Sequence, residues 1–324
     1  MSAACGLALL LTLLASPAAA QRGETDECDR WFPNITCGTD LRFPGFSPPL
    51  GAPYLFEDPF ITTGVQTHLV WNEFPERSVF QGGDVTVAAA QVRLAITDRL
   101  ALIATKDGWA RLRPDQPLLN DETGFMDLGL GIKYALVRSA EQQFILTPSL
   151  RYETTQGSHD VFSGNGEGTW ILGTSLGWGV GSVHLLGNVA AQLPVDGDAE
   201  SSVLSYNLQV DFPLPGGWTP VLGLNGLHYL DDGAGTNMVK LASGARLPLA
   251  TVQNVVGSGR FEGNDVLNLG SNGVEGNDVI SVVFGIQRQV NDRWRIGLNY
   301  EHPLTRRKDL LQHRIHFSLL YELH

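Results

Sequence analysis

The chain has 324 residues, a net charge of −12 and only 17% charged side chains, with 37 glycines and three methionines. Phosphate binding needs a basic footprint, so this balance argues against nucleic acid as a partner. The length suits one large domain or two ordinary ones.

Residues 1–20 read as a secretory signal: "LALLLTLLA" is an apolar core, and "SPAAA" puts small residues ahead of Gln21. The apolar run is shorter than the ~20 residues that span a bilayer. Cys5 leaves with the signal, which leaves Cys28 and Cys37. Two cysteines in an exported chain most simply pair, and no histidine lies close enough in sequence to suggest zinc ligation. Residues 21–58 form an irregular segment, because "PGFSPPLGAP" is too rich in proline for a helix. No apolar run long enough for a membrane helix follows, yet an exported chain can still cross a membrane as a closed β-barrel.

From residue 59 to 324 the hydrophobic period is two. In "TWILGTSLGWGV" (169–180), Trp170, Leu172, Leu176, Trp178 and Val180 share one face, and Gly173, Ser175, Gly177 and Gly179 share the other. "SVLSYNLQVDF" (202–212) and "RWRIGLNYEH" (293–302) alternate in the same way. About twelve strands are expected, at 60–72, 83–96, 99–108, 125–137, 143–155, 167–180, 182–194, 202–213, 217–231, 278–290, 293–302 and 310–323. The third and ninth of them have ambiguous facing. A typical globular strand has ~5–6 residues, whereas a tilted membrane strand needs ~9–11. The connections alternate between short and long, the pattern of tight periplasmic turns and longer extracellular loops. These features predict an all-β fold: a transmembrane antiparallel up-and-down β-barrel of about 12 strands, in a bacterial outer membrane, with both termini periplasmic. Tryptophans near strand ends suit interfacial girdles. A soluble exported β-sandwich is the rival fold.

In such a barrel the polar face lines the lumen. The residues expected there are His68, Arg93, Asp127, Lys133, Arg151, Glu153, Asn188, Gln209, Asp211, Arg295, Glu301 and Arg314. They form either a polar path for small solutes or a set of ion pairs that fill a narrow barrel. Barrels of ~8 strands are filled and those of 16–18 are open, so twelve falls between. The proline-rich segment is a candidate plug.

The chain resembles Gram-negative outer-membrane barrels, and more narrowly the phenol-degradation MetA-like group of predicted transporters. "DLGLGIKYAL" (127–136) and "QVNDRWRIGLNYEHPLT" (289–305) carry the likeness, with the barrel pattern over about 60–323. The resemblance implies a transport-associated barrel and assigns no catalytic residue. The expected function is passage of small solutes, with hydrophobic or aromatic compounds among the candidates. No cofactor or metal is expected. The expected partners are outer-membrane lipids and lipopolysaccharide, a small-molecule solute, and the outer-membrane assembly machinery. A structural or surface-recognition barrel is the alternative. An outer-membrane lipid hydrolase is another, but it would need a serine and an orienting amide beside an outward histidine such as His313. Ser158-His159 reads as a solvated turn.

Gly-Asn-Asp-Val occurs at 263–266 and again at 276–279. The spacing of thirteen is not the nine of a calcium β-roll, and two copies cannot stack into one. The first copy is assigned to a long loop over the barrel mouth and the second to the entry of a strand.

Overall fold

The computed structural model describes residues 40, 42–256, 273–308 and 310–323. The signal, Cys28, Cys37 and the first Gly-Asn-Asp-Val copy lie outside the described residues.

Twelve antiparallel staves close on themselves. They are β1 (Thr63–Glu73), β2 (Gly83–Ala95), β3 (Leu100–Pro114), a broken fourth stave, β7 (Phe144–Glu153), β8 (Thr169–Val180), β9 (Val183–Pro194), β10 (Ser202–Asp211), β11 (Trp218–Asp231), β14 (Asp278–Gln289), β15 (Trp294–Pro303) and β16 (His313–Leu323). The fourth stave consists of β4 (Glu122–Phe125), β5 (Gly129–Tyr134) and β6 (Val137–Ser139). β16 pairs with β1 from Thr63↔Leu323 to Glu73↔His313, so the sheet has no free edge. Short turns join the staves at the end where β1 starts and β16 finishes. The long loops all lie at the other end. One of these carries β12 (Met238–Lys240), β13 (Arg246–Pro248) and a helix, α1 (Leu249–Val256). No described helix is long and apolar enough to cross a membrane.

The two faces are inverted relative to a soluble protein. Leu69, Leu130, Leu172, Phe284 and Leu298 point outward and are 49–55% exposed, whereas Lys133 and Arg151 point inward and are 1% exposed. A soluble sandwich would bury the leucines and expose the charges. A barrel that meets lipid requires the opposite. This ordering sets the sandwich aside.

Both ambiguous strands have a local cause. In β3 a bulge opposes Gln91 with two residues, Thr105 and Lys106, so the alternation changes phase there. Lys106 takes φ +67° and is turned inward, and beyond it Trp109 faces out. In β11 the inward positions Val221, Leu227 and Tyr229 are apolar and buried. Leu227 and Tyr229 join a core that includes Tyr54, Leu55 and Phe56, which lie inside the barrel. Apolar residues therefore sit on both faces of this strand.

Candidate functional site: a lumen occupied by the N-terminal segment

Residues 42–62 enter the lumen at the short-turn end, rise to Tyr54 and descend to the start of β1. Proline and glycine deny this segment regular structure, so its backbone polar groups need partners from the wall. The wall supplies them in tiers.

In the lowest tier the Ser47 amide donates to the Asp211 carboxylate (3.0 Å), which also pairs with His184 Nδ1 (2.6 Å). Phe46 stacks on the His184 ring at 4.2 Å. Arg295 donates to Ser47 Oγ (2.8 Å), and the Leu50 amide donates to Gln209 Oε1 (2.8 Å). Leu50 seats over Gly285 and Gly297, where an added Cβ would fall 2.8 and 2.7 Å from its methyl groups. Phe43, Phe46 and Phe60 cluster around this tier with ring centroids 5.1–6.1 Å apart.

The middle tier is an ion lock. Glu57 receives two bonds from the Arg93 guanidinium (2.9 and 3.1 Å) and one from Lys133 Nζ (2.7 Å). Asp58 pairs with the same two cations at 3.1 and 2.9 Å. Ser175 and Thr147 each donate to the segment's carbonyls, at Glu57 and Pro59, over 2.6 Å. Burial raises the pKa of the Glu57 carboxyl, but Arg93 and Lys133 outweigh it and hold the group well below the usual carboxylate range. Glu57 is therefore ionised at any ordinary pH.

The top tier gathers around Tyr54. Its hydroxyl donates to Glu153, which also pairs with Lys106, and its carbonyl accepts from Arg151 (2.6 Å). Lys106 Nζ lies 4.6 Å from the centre of the Tyr54 ring. Gln91 donates to the Pro53 carbonyl.

On β1, β11, β15 and β16 a further set of polar side chains pairs within the wall. Arg314 pairs with Glu301 (3.0 Å) and donates to Asn72 (3.1 Å). Asn225 donates to Glu301 (2.9 Å), and His68 and His316 share a 2.8 Å hydrogen bond. On the segment's side, between β8 and β9, Asn188 donates to Ser175 Oγ (2.9 Å).

A second closure lies at the long-loop end. Phe74, Phe80, Val161, Phe162, Val239, Val252 and Leu310 are buried together with Met126. Asp127 sits beneath them and accepts from the Gly157 (2.7 Å) and Gly164 (2.9 Å) amides, which fixes the 154–168 loop. A cavity of about 30 Å³ remains between this cap and Tyr54, bordered by His68, Val70, Lys106 and Met126. In the second Gly-Asn-Asp-Val copy, Gly276 takes φ +71° and Asp278 opens β14 and pairs with His228 (3.0 Å).

Of the twelve residues expected in the lumen, eleven are buried and Arg295 is half-buried. Arg93, Lys133, Arg151, Glu153, Gln209, Asp211 and Arg295 contact the N-terminal segment, whereas His68, Glu301 and Arg314 contact other wall residues. Asn188 bonds within the wall, and Asp127 belongs to the cap. The sequence reading missed Tyr54, Glu57, Asp58 and Lys106. Glu57 and Asp58 carried a signal, as the only charged residues from 43 to 62. Lys106 carried none, because the bulge alone turns it inward.

No protein-family model matches the sequence, and no curated protein matches it. Solved structures do. The COG4313 outer membrane channel from Pseudomonas putida F1 is 12% identical, with a TM-score of 0.53 over 86% of this chain and 100% of that one. The chain has an outer-membrane β-barrel fold. The NanC porin is 7% identical, with a TM-score of 0.47 over 80% of this chain and 99% of that one. The KdgM porin in complex with disordered oligogalacturonate is 8% identical, with a TM-score of 0.43 over 81% and 99%. At these identities the likeness reaches the fold and no further.

Proposed function

We propose that this protein is an outer-membrane channel for small solutes, hydrophobic or aromatic ones among them, whose N-terminal segment is a removable plug. In this reading both termini are periplasmic, the outward face meets lipid and, on the outer side, lipopolysaccharide, and the assembly machinery inserts the barrel. One observation carries the proposal. The buried cations Arg93 and Lys133 form their ion pairs with carboxylates on the segment, at Glu57 and Asp58. A barrel built only as a scaffold would satisfy its inward charges across neighbouring staves, as Arg314 and Glu301 do. A wall whose charges depend on a separable strap becomes a polar path when the strap leaves. That the solved neighbours include a channel and porins agrees with this reading.

The test is planar-bilayer conductance of the full chain beside a variant lacking residues 21–58. Deletion should convert a closed or flickering barrel into a steadily open one. Equal conductance would leave a scaffold barrel sealed by its apolar cap. Liposome swelling with sugars, amino acids, fatty acids and phenolics would then name the solute class.

A further inference from the structure

On the outward face at the long-loop end, β15 and β16 bring three side chains together. His302 and His313 lie opposite each other across the strand pair, because the register runs Glu301↔Arg314 one step below them. Their Nδ1 atoms are 3.4 Å apart. Tyr300 Oη lies 2.6 Å from the His313 Nδ1 and 3.5 Å from the His302 Nδ1. Neither the plug nor the cap involves these residues.

Hydrogen bonding alone accounts poorly for the arrangement. The phenol donates its single proton to the His313 Nδ1. That leaves the His302 Nδ1 with two contacts at 3.4 and 3.5 Å, at or beyond the length of a useful bond. Three potential metal-donor atoms therefore point into one small space. The point equidistant from all three lies about 1.9 Å from each. Within about an ångström out of their plane it meets the ~2.0–2.2 Å of zinc–nitrogen and zinc–oxygen bonds. The two imidazole rings are inclined by 24°, so small ring rotations would aim both lone pairs at that point. Tyr300 is 39% exposed and both histidines are half-buried, which leaves the fourth position to water.

We propose that Tyr300, His302 and His313 form a binding site for one divalent transition-metal ion of the imidazole-preferring class, Cu²⁺ or Zn²⁺, at the outer rim of the barrel. Two nitrogens and a phenol oxygen favour those ions over Mg²⁺ and Ca²⁺, which take oxygen-rich shells. The site is independent of transport, so it stands whether or not the channel reading does.

The experiment is Zn²⁺ titration of the full-length, tag-free protein in detergent by calorimetry. Cu²⁺ electron paramagnetic resonance at one equivalent runs beside it. The wild type should bind Zn²⁺ in the presence of excess Mg²⁺, and Cu²⁺ should show hyperfine coupling to two imidazole nitrogens. His302→Ala and His313→Ala should each lose at least ~10-fold in affinity, since even outer-shell changes cost that much. Tyr300→Phe should bind more weakly and keep the two-nitrogen signature. His228→Ala, at the separate outward His228–Asp278 pair, should bind as the wild type does. Equal affinity in His302→Ala and the wild type would overturn the proposal. If that variant does not fold, a wild-type Cu²⁺ spectrum without two-nitrogen coupling overturns it equally.

Discussion

One half of the lumen wall, from β2 through β10, holds its buried charge against the N-terminal segment. The other half, built by β1, β11 and β14–β16, holds most of it against itself, although Arg295 of β15 donates to Ser47 of the segment. In the first half the cations Arg93 and Lys133 belong to the wall and the anions Glu57 and Asp58 to the strap. In the second, Arg314, Glu301, Asn225 and Asn72 close one network and His68 and His316 pair beside it, all on β1, β11, β15 and β16. Breaking a buried pair leaves an uncompensated charge, whereas removing both members together costs far less. The strap-bonded half can thus exchange protein partners for water when the strap leaves. The self-bonded half gains nothing by opening. The difference between the halves lies in the covalent ownership of the counter-charge, not in the density of polar groups.

The largest test removes the strap's anions. Glu57→Gln combined with Asp58→Asn strips Arg93 and Lys133 of four ion-pair contacts. Loss of a single buried partner costs roughly 3–5 kcal/mol, so the segment should dissociate from the lumen. Single-channel recordings should show long openings like those of the 21–58 deletion. A closed double variant would mean that the aromatic tier, and not the lock, retains the strap.

Glu301→Gln probes the other half. It leaves Arg314 buried beside a neutral amide and should lower barrel stability by about 3 kcal/mol. Urea unfolding followed by tryptophan fluorescence would measure it. Conductance should remain that of the wild type, because the strap makes no bond to Glu301. If the channel opened instead, the two halves would not be separate.

Gly297→Ala joins the halves through packing alone. The new methyl would press on Leu50 and on Ser318 Oγ, both 2.7 Å away, an overpacking that costs about 1–3 kcal/mol. Brief openings should appear, fewer than in the charge variant. Adding Leu50→Ala should reduce them, since the push on the strap is then relieved and only the contact with Ser318 Oγ remains.

These residues also show what was legible in the sequence. The staves were, because lipid outside and water inside impose a strict period of two. The breaks came where that rule is suspended locally. One is the Thr105–Lys106 bulge, and another is the fourth stave, which divides at residues 126–128 and 135–136. Lumen facing follows from strand parity, so inward residues could be placed individually. Their pairing could not, since it depends on where an irregular strap runs. No periodicity indicates that Glu57 meets Lys133, 76 positions away. The cap was equally hidden. It is assembled from apolar residues of several loops, such as Phe80, Phe162 and Val252, none of which forms a pattern by itself.

The smallest effect belongs to the cap's edge and separates it from the ion lock. Glu200 lies in the β9–β10 loop at the long-loop end, and burial pushes its carboxyl up to about 7, despite the Thr169 hydroxyl that donates to it over 2.6 Å. An acid whose folded pKa exceeds its unfolded value near 4.5 binds more protons when folded. Its burial therefore costs nothing below about pH 4.5, and the penalty grows as the pH rises to about 7 and is complete above that. Glu57 has the opposite sign, with a folded pKa below its unfolded one, so its contribution is already complete across this window. Glu200→Gln should raise the thermal midpoint at pH 8, leave it unchanged near pH 4, and flatten the pH dependence between them. Glu57→Gln should lower the midpoint by the same amount at pH 5 and pH 8. A Glu57→Gln deficit that varied across this range would show that the lock titrates too, and the contrast between strap and cap would fail.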